Sequence, residues 1–127
     1  MNTQIQEMIG RVPVDIAQSS DEIVFSFADG ARARFLHHQD CCEEVKIEDV
    51  NGDWLDLIGH PLLVAEERSG EGPEPGYTYF FTHETWTFYT FRSVKGSVDV
   101  RWLGRSNGYY SEKVDFDFTF PQEKKDG

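Results

Sequence analysis

With 127 residues the chain is long enough for one domain, and folding at that size buries roughly two-thirds of the surface that the unfolded chain exposes. Ten Phe, five Tyr and three Trp supply large side chains for one core, so disorder is excluded outside the ends. Twenty-three acidic residues against twelve basic ones leave a net charge of −11, which disfavours direct binding to duplex DNA or RNA and attracts a basic protein partner.

Thr3 and Gln6 have capping-box spacing, Ile5, Met8 and Ile9 share a helical face, and Gly10 can end the turn, so residues 3–9 are predicted as a short helix. Pro13 confines residues 12–16 to an edge strand or an extended approach to one. Ile23, Phe25 and Phe27 then alternate with Val24 and Ser26 ahead of Asp29-Gly30. A hairpin over 22–36 follows, with a two-residue turn and with Arg32 and Arg34 on one face of the return strand.

Residues 44–50 alternate as a third strand that Asn51-Gly52 ends. Asp53 as N-cap, Gly59 as C-terminal glycine and Pro61 beyond it predict a short helix over 53–58. The apolar run 61–65 reads as a buried strand ending at Glu66-Glu67, and 69–76, with three Gly and two Pro, reads as a mobile loop.

The aromatic strands occupy 77–120, with a break at His83-Glu84, a turn at Lys95-Gly96 and a strand at 97–102. A loop follows from Gly104 to Ser111. Val114, Phe116, Phe118 and Phe120 then face a core opposite Lys113, Asp115, Asp117 and Thr119. Phe116→Ala is accordingly expected to cost about 3–5 kcal/mol, and Asp115→Asn or Asp117→Asn under about 0.5 kcal/mol. Residues 121–127 form a polar tail. The expected fold is one mainly β domain, α+β at the margin: a single antiparallel sheet or small β-sandwich with one or two short helices.

Two clusters carry metal-binding or recognition chemistry. His37, His38, Cys41 and Cys42 are metal-ligand or thiol types, with His60 and His83 as distant candidates, but adjacent cysteines rarely share one zinc, and Asp40, Glu43 and Glu44 raise a thiol pKa. Ordinary half-buried residues are the preferred explanation of the cluster. Arg101, Trp102, Arg105, Asn107, Tyr109 and Tyr110 form the second cluster, in which Arg and Asn can hold a phosphate or base edge while Tyr or Trp stacks on a base. Its alternative is a turn around Asn107-Gly108 with the tyrosines packed back on the sheet. No phosphate-cradling glycine motif occurs, no acid–base dyad stands out, and no cofactor and no catalytic residue is assigned.

The two cysteines are neighbours and build no disulfide framework, and no window reaches the 18 apolar residues of a spanning helix. Residues 1–9 have neither the basic nor the apolar region of a secretion signal. A reducing, cytoplasmic location away from membranes is expected, the host cytoplasm if a phage encodes the chain.

The runs His38-Gln-Asp-Cys-Cys-Glu43, Asp56-Leu-Ile-Gly59, Thr85-Trp-Thr-Phe-Tyr89 and Ser106-Asn-Gly-Tyr-Tyr-Ser-Glu112 resemble a domain family of unknown function seen in phages and bacteria. The resemblance spans about 20–118 and implies no reaction. It implies an accessory, non-enzymatic binding protein, with an anti-defence inhibitor that engages a basic host protein through an acidic surface as the leading expectation. A sponge for a nucleotide-type signal near 101–110, in a homo-oligomer where the ligand sits at a subunit boundary, is the second. A zinc or reactive-thiol site at 37–42 is the third.

Overall fold

Side chains alternate across a strand, so a strand with one buried face must sit in a sheet covered on that side. Eight strands satisfy this requirement in the computed structural model, which describes residues 4–38, 43–71, 83–106 and 111–121. They are β1 (Pro13–Gln18), β2 (Glu22–Phe27), β3 (Arg32–Leu36), β4 (Glu44–Asn51), β5 (Val64–Glu71), β6 (His83–Ser93), β7 (Gly96–Ser106) and β8 (Asp115–Thr119). The protein is mainly β: two antiparallel four-stranded sheets, ordered β1-β2-β3-β8 and β4-β7-β6-β5.

The inner faces meet through aromatic rings. Phe25 and Phe35 of the first sheet stand 4.9 Å from Phe91 and 4.8 Å from Tyr89 of the second, between ring centroids. Phe25, Phe35, Phe91, Val98 and Trp102 are fully buried. The architecture is therefore a sandwich, in which the chain changes sheets between β3 and β4 and between β7 and β8. Among the described residues, no helix is long and apolar enough to cross a membrane.

The helices are single 3-10 turns. Ile5–Met8 buries Ile5 and Met8, but Gln4 stands at its N-cap without a side-chain cap, and Thr3 lies outside the described residues. Over 53–58 the turn is Trp54–Asp56, capped as expected by Asp53, whose carboxylate accepts the Leu55 N–H at 3.0 Å.

Four boundaries differ from the sequence reading. The first hairpin closes through residues 28–30, with Phe27 N–H donating to Ala31 O at 2.9 Å and Gly30 at φ 92°; this is a three-residue loop with a left-handed glycine. The strand expected at 61–65 begins at Val64 and runs to Glu71, so 69–71, expected in a mobile loop, continue an edge strand; 72–76 lie outside the described residues. His83 opens β6 rather than breaking a strand, and 77–82 lie outside the description. Finally, β7 continues through Gly104 to Ser106, where a loop was expected.

β8 faces as its alternation predicts, with Phe116 paired to Phe35 and Phe118 to Ala33. It ends at Thr119, however, which leaves Phe120 50% exposed. Phe116 is half-buried, so Phe116→Ala should cost about 2–3 kcal/mol rather than the full core value, while exposed Asp117→Asn stays within about 0.5 kcal/mol. Asp115 is not simply wet, since its carboxylate accepts the His38 backbone N–H at 2.9 Å. Denaturant midpoints of the two variants measure the contrast.

Candidate functional site

On β6 the period of two sends Tyr89, Phe91 and Ser93 inward and Trp86, Phe88 and Thr90 outward. The register then aligns the outer face of the second sheet in rows. Arg68, Phe88, Arg101 and Asp49 form one row, and Gly70, Trp86, Leu103 and Lys46 the next. Both outward aromatics are half-buried, and they are neighbours, with ring centroids 6.4 Å apart. The Arg101 guanidinium lies 4.8 Å from the centre of the Trp86 ring, a cation–π contact worth about 0.5–1 kcal/mol where water reaches it.

The surroundings fix this pair. Leu103 is nearly buried beside Trp86, and the Thr90 hydroxyl donates to Asp99 at 2.7 Å. Arg105 Nε lies 3.4 Å from a Glu84 carboxylate whose side chain is 7% exposed. Along the rows, Lys46, Arg68, Arg92, Arg101 and Arg105 are matched by Glu44, Asp49, Glu66, Glu84 and Asp99. With exposed Glu48 bordering the same face, these charges nearly cancel, so most of the chain's net −11 is carried by the rest of the molecule. The depression over Phe88, between Arg68 and Arg101, encloses about 160 Å³.

The second sequence cluster divides between two faces. Arg101 and Arg105 belong to the outer face, but Trp102, one residue from Arg101, points into the core with no exposed surface and with its indole N–H unpaired among the described residues. Asn107, Tyr109 and Tyr110 lie outside the described residues. Sequence reasoning missed Trp86, Phe88 and Arg68. Their signal was present: β6 is aromatic at both alternating sets of positions, more than one buried face requires.

Alternation also separates the two histidines of the first cluster. His37 turns inward, with a side chain 5% exposed, and its Nδ1 donates to the Lys113 carbonyl at 2.7 Å. Its Nε2 faces the buried Glu43 carboxylate at 3.5 Å. His38 is exposed, with Nε2 3.2 Å from Asp117. Cys41 and Cys42 lie outside the described residues, and among the described residues no three His, Cys, Asp or Glu side chains converge as metal ligands. Close by in the fold, the Glu112 carboxylate accepts the hydroxyls of Thr85 at 2.8 Å and Ser106 at 2.6 Å. Lys113, which follows Glu112, holds His37, so His37 of the first sequence cluster lies at the same end of the sandwich as Ser106 and Glu112.

A family model described as a domain of unknown function (DUF7448) matches residues 6–116. The chain belongs to this family. No curated protein and no solved structure matches it. The span matched to DUF7448 holds both the Trp86–Arg101 face and the His37–Glu43 pair, and it ends inside β8. Both features are therefore built into the DUF7448 domain.

Proposed function

We propose that the domain is a non-enzymatic binding module of the accessory kind found in phages, which docks a basic host protein. Its most specific form is an anti-defence inhibitor that occupies the nucleic-acid groove of a host factor. The observation that carries this reading is Arg101 stacked on Trp86 beside Phe88, on an open sheet face. Trp and Arg are the residue types that most often dominate protein–protein affinity. Around this nearly balanced centre the remaining surface holds most of the net charge of −11, which speeds encounter with a cationic partner and loses that advantage as salt rises.

Magnitudes favour a protein over a nucleotide sponge. Small-molecule sites usually enclose about 300–1,000 Å³. The arginine-flanked depression offers about 160 Å³. The roomier cleft elsewhere in the molecule, about 810 Å³, is lined by carboxylates that repel phosphate. In these two depressions of the described residues, the cations and the volume are in different places.

The test is affinity capture from host lysate at low salt, followed by affinity measurement on the recovered protein. A nucleic-acid-handling protein should be recovered. Trp86→Ala or Arg101→Ala should each weaken its binding by about 2 kcal/mol, roughly 30-fold, while Thr119→Ala on the opposite sheet leaves it unchanged. Recovery of no nucleic-acid-handling protein, or wild-type affinity in both variants, refutes the reading.

A further inference from the structure

We infer that the cleft between β5 and β8, flanked by the Ile5–Met8 turn, is a binding site for an organic cation, an ammonium or guanidinium on a short apolar stem. β5 and β8 are the outermost strands of the two sheets, and the space between their edges holds about 810 Å³, the size of a small-molecule site.

The chemistry of β5 marks this space as more than a packing gap. Ala65 faces the core, so the period of two sends Glu67 and Ser69 the same way, placing polar groups where a sandwich strand ordinarily carries apolar ones. Asp115 and Asp117 line the opposite wall, and both are already positioned, Asp115 by the His38 backbone N–H and Asp117 by His38 Nε2 at 3.2 Å. Among the described residues, Lys113 is the one lysine on the lining, and no arginine contributes to it. Phe116 and Phe118 supply apolar wall for a stem and ring faces for a cation.

A second observation points the same way. Tyr89 is the cross-strand partner of Glu67 and is 1% exposed, and its hydroxyl has no hydrogen-bond partner among the described residues. The pairing sets Tyr89 on the same side of the second sheet as Glu67, which lines the cleft, and burial, then the charges of Glu67 and Asp115, push its hydroxyl far above its ordinary pKa. Glu67, though solvent-accessible, is itself pushed above the usual carboxylate range by partial burial, against the opposing charge of Lys113. Acceptor-only carboxylates on both walls, beside a buried hydroxyl that has no partner among the described residues, call for a ligand rich in N–H donors. A metal ion fits less well, because no three ligand groups converge among the described residues.

The cation has two sources, a free polyamine-type molecule or the side chain of an Arg or Lys in a partner's exposed segment, and one titration separates them. Agmatine, spermidine and a capped Gly-Arg-Gly peptide are titrated into the full chain at constant ionic strength, read by calorimetry and by amide chemical shifts. The expected result is saturable binding with shifts confined to β5, β8 and their neighbours. Binding of the free amines assigns a small-molecule site; binding of the peptide alone assigns a partner side chain. Glu67→Gln and Tyr89→Phe should each weaken binding at least tenfold, and Tyr89→Phe keeps the ring, so lost packing does not explain its effect. Trp86→Ala on the outer sheet face should change nothing, which keeps this inference distinct from the partner surface proposed above. No saturable binding with any of the three ligands, shifts spread over the whole acidic surface, or unchanged affinity in either cleft variant overturns it.

Discussion

Truncating Phe35 to Ala should destabilise the domain by about 3–5 kcal/mol and lower its melting temperature by roughly 10–20 °C. Phe35 is fully buried and touches rings from both sheets: Phe25 at 6.0 Å and Phe116 at 5.0 Å in its own, Tyr89 at 4.8 Å and Phe91 at 5.5 Å across the interface. Removing it opens a cavity at the centre of the aromatic cluster, and pleated strands held by their ladders collapse poorly around such a hole. Domains of this kind typically have about 5–15 kcal/mol in total, so this one side chain decides whether the sandwich survives moderate heating. Phe120→Ala is the contrast. Phe120 is 50% exposed beyond the end of β8, and its loss should cost under about 1 kcal/mol. Thermal and urea melts measure both, and equal losses would mean that the core lies elsewhere.

The legible parts of this fold are those in which one local rule had no competitor. Ile23, Phe25 and Phe27 alternate ahead of a glycine turn, and only a hairpin with one buried face satisfies that pattern. Asp53 could be recognised as a cap because its carboxylate acts two residues along the chain. β5 was misplaced for a different reason. The apolar run at 61–65 suggested a buried strand, yet the strand that forms contains Glu66, Glu67, Arg68, Ser69 and Gly70. What orders it is eight residues of pairing along β6, a long-range ladder that its own composition does not announce.

The candidate site was half legible for the same reason. Grouping Arg101, Trp102 and Arg105 by their closeness in sequence ignored the pleat, which sends Trp102 to the core and the two arginines to the outer face. The partners of Arg101, namely Trp86, Phe88 and Arg68, come from two other strands. Only the register brings them together. The cleft is less legible still, since it depends on how the outermost strands of two separate sheets are placed.

The same substitution at two glycines should give opposite results. A Cβ at Gly104 would overlap the backbone carbonyl oxygen of Glu112 and stand 2.8 Å from Glu112 Cβ, closer than real side chains come. The obstacle is backbone, so segment 111–114 must move away from β7. That shift pulls the Glu112 carboxylate from the Thr85 and Ser106 hydroxyls and the Lys113 carbonyl from His37. Overpacking of this kind costs about 1–3 kcal/mol and leaving buried polar groups unpaired about as much again, so Gly104→Ala should lose about 3–5 kcal/mol. At Gly70, in edge strand β5, a Cβ meets nothing within 4 Å among the described residues, and the backbone there does not adopt positive φ. Gly70→Ala removes freedom mainly from the unfolded chain and should stabilise by about 0.4–1 kcal/mol. Urea midpoints of the two variants, at unchanged m-value, give the comparison directly. If Gly104→Ala is as well tolerated as Gly70→Ala, segment 111–114 does not cross the inner face of β7, and the meeting of His37, Glu43, Ser106 and Glu112 at one end of the sandwich is wrong.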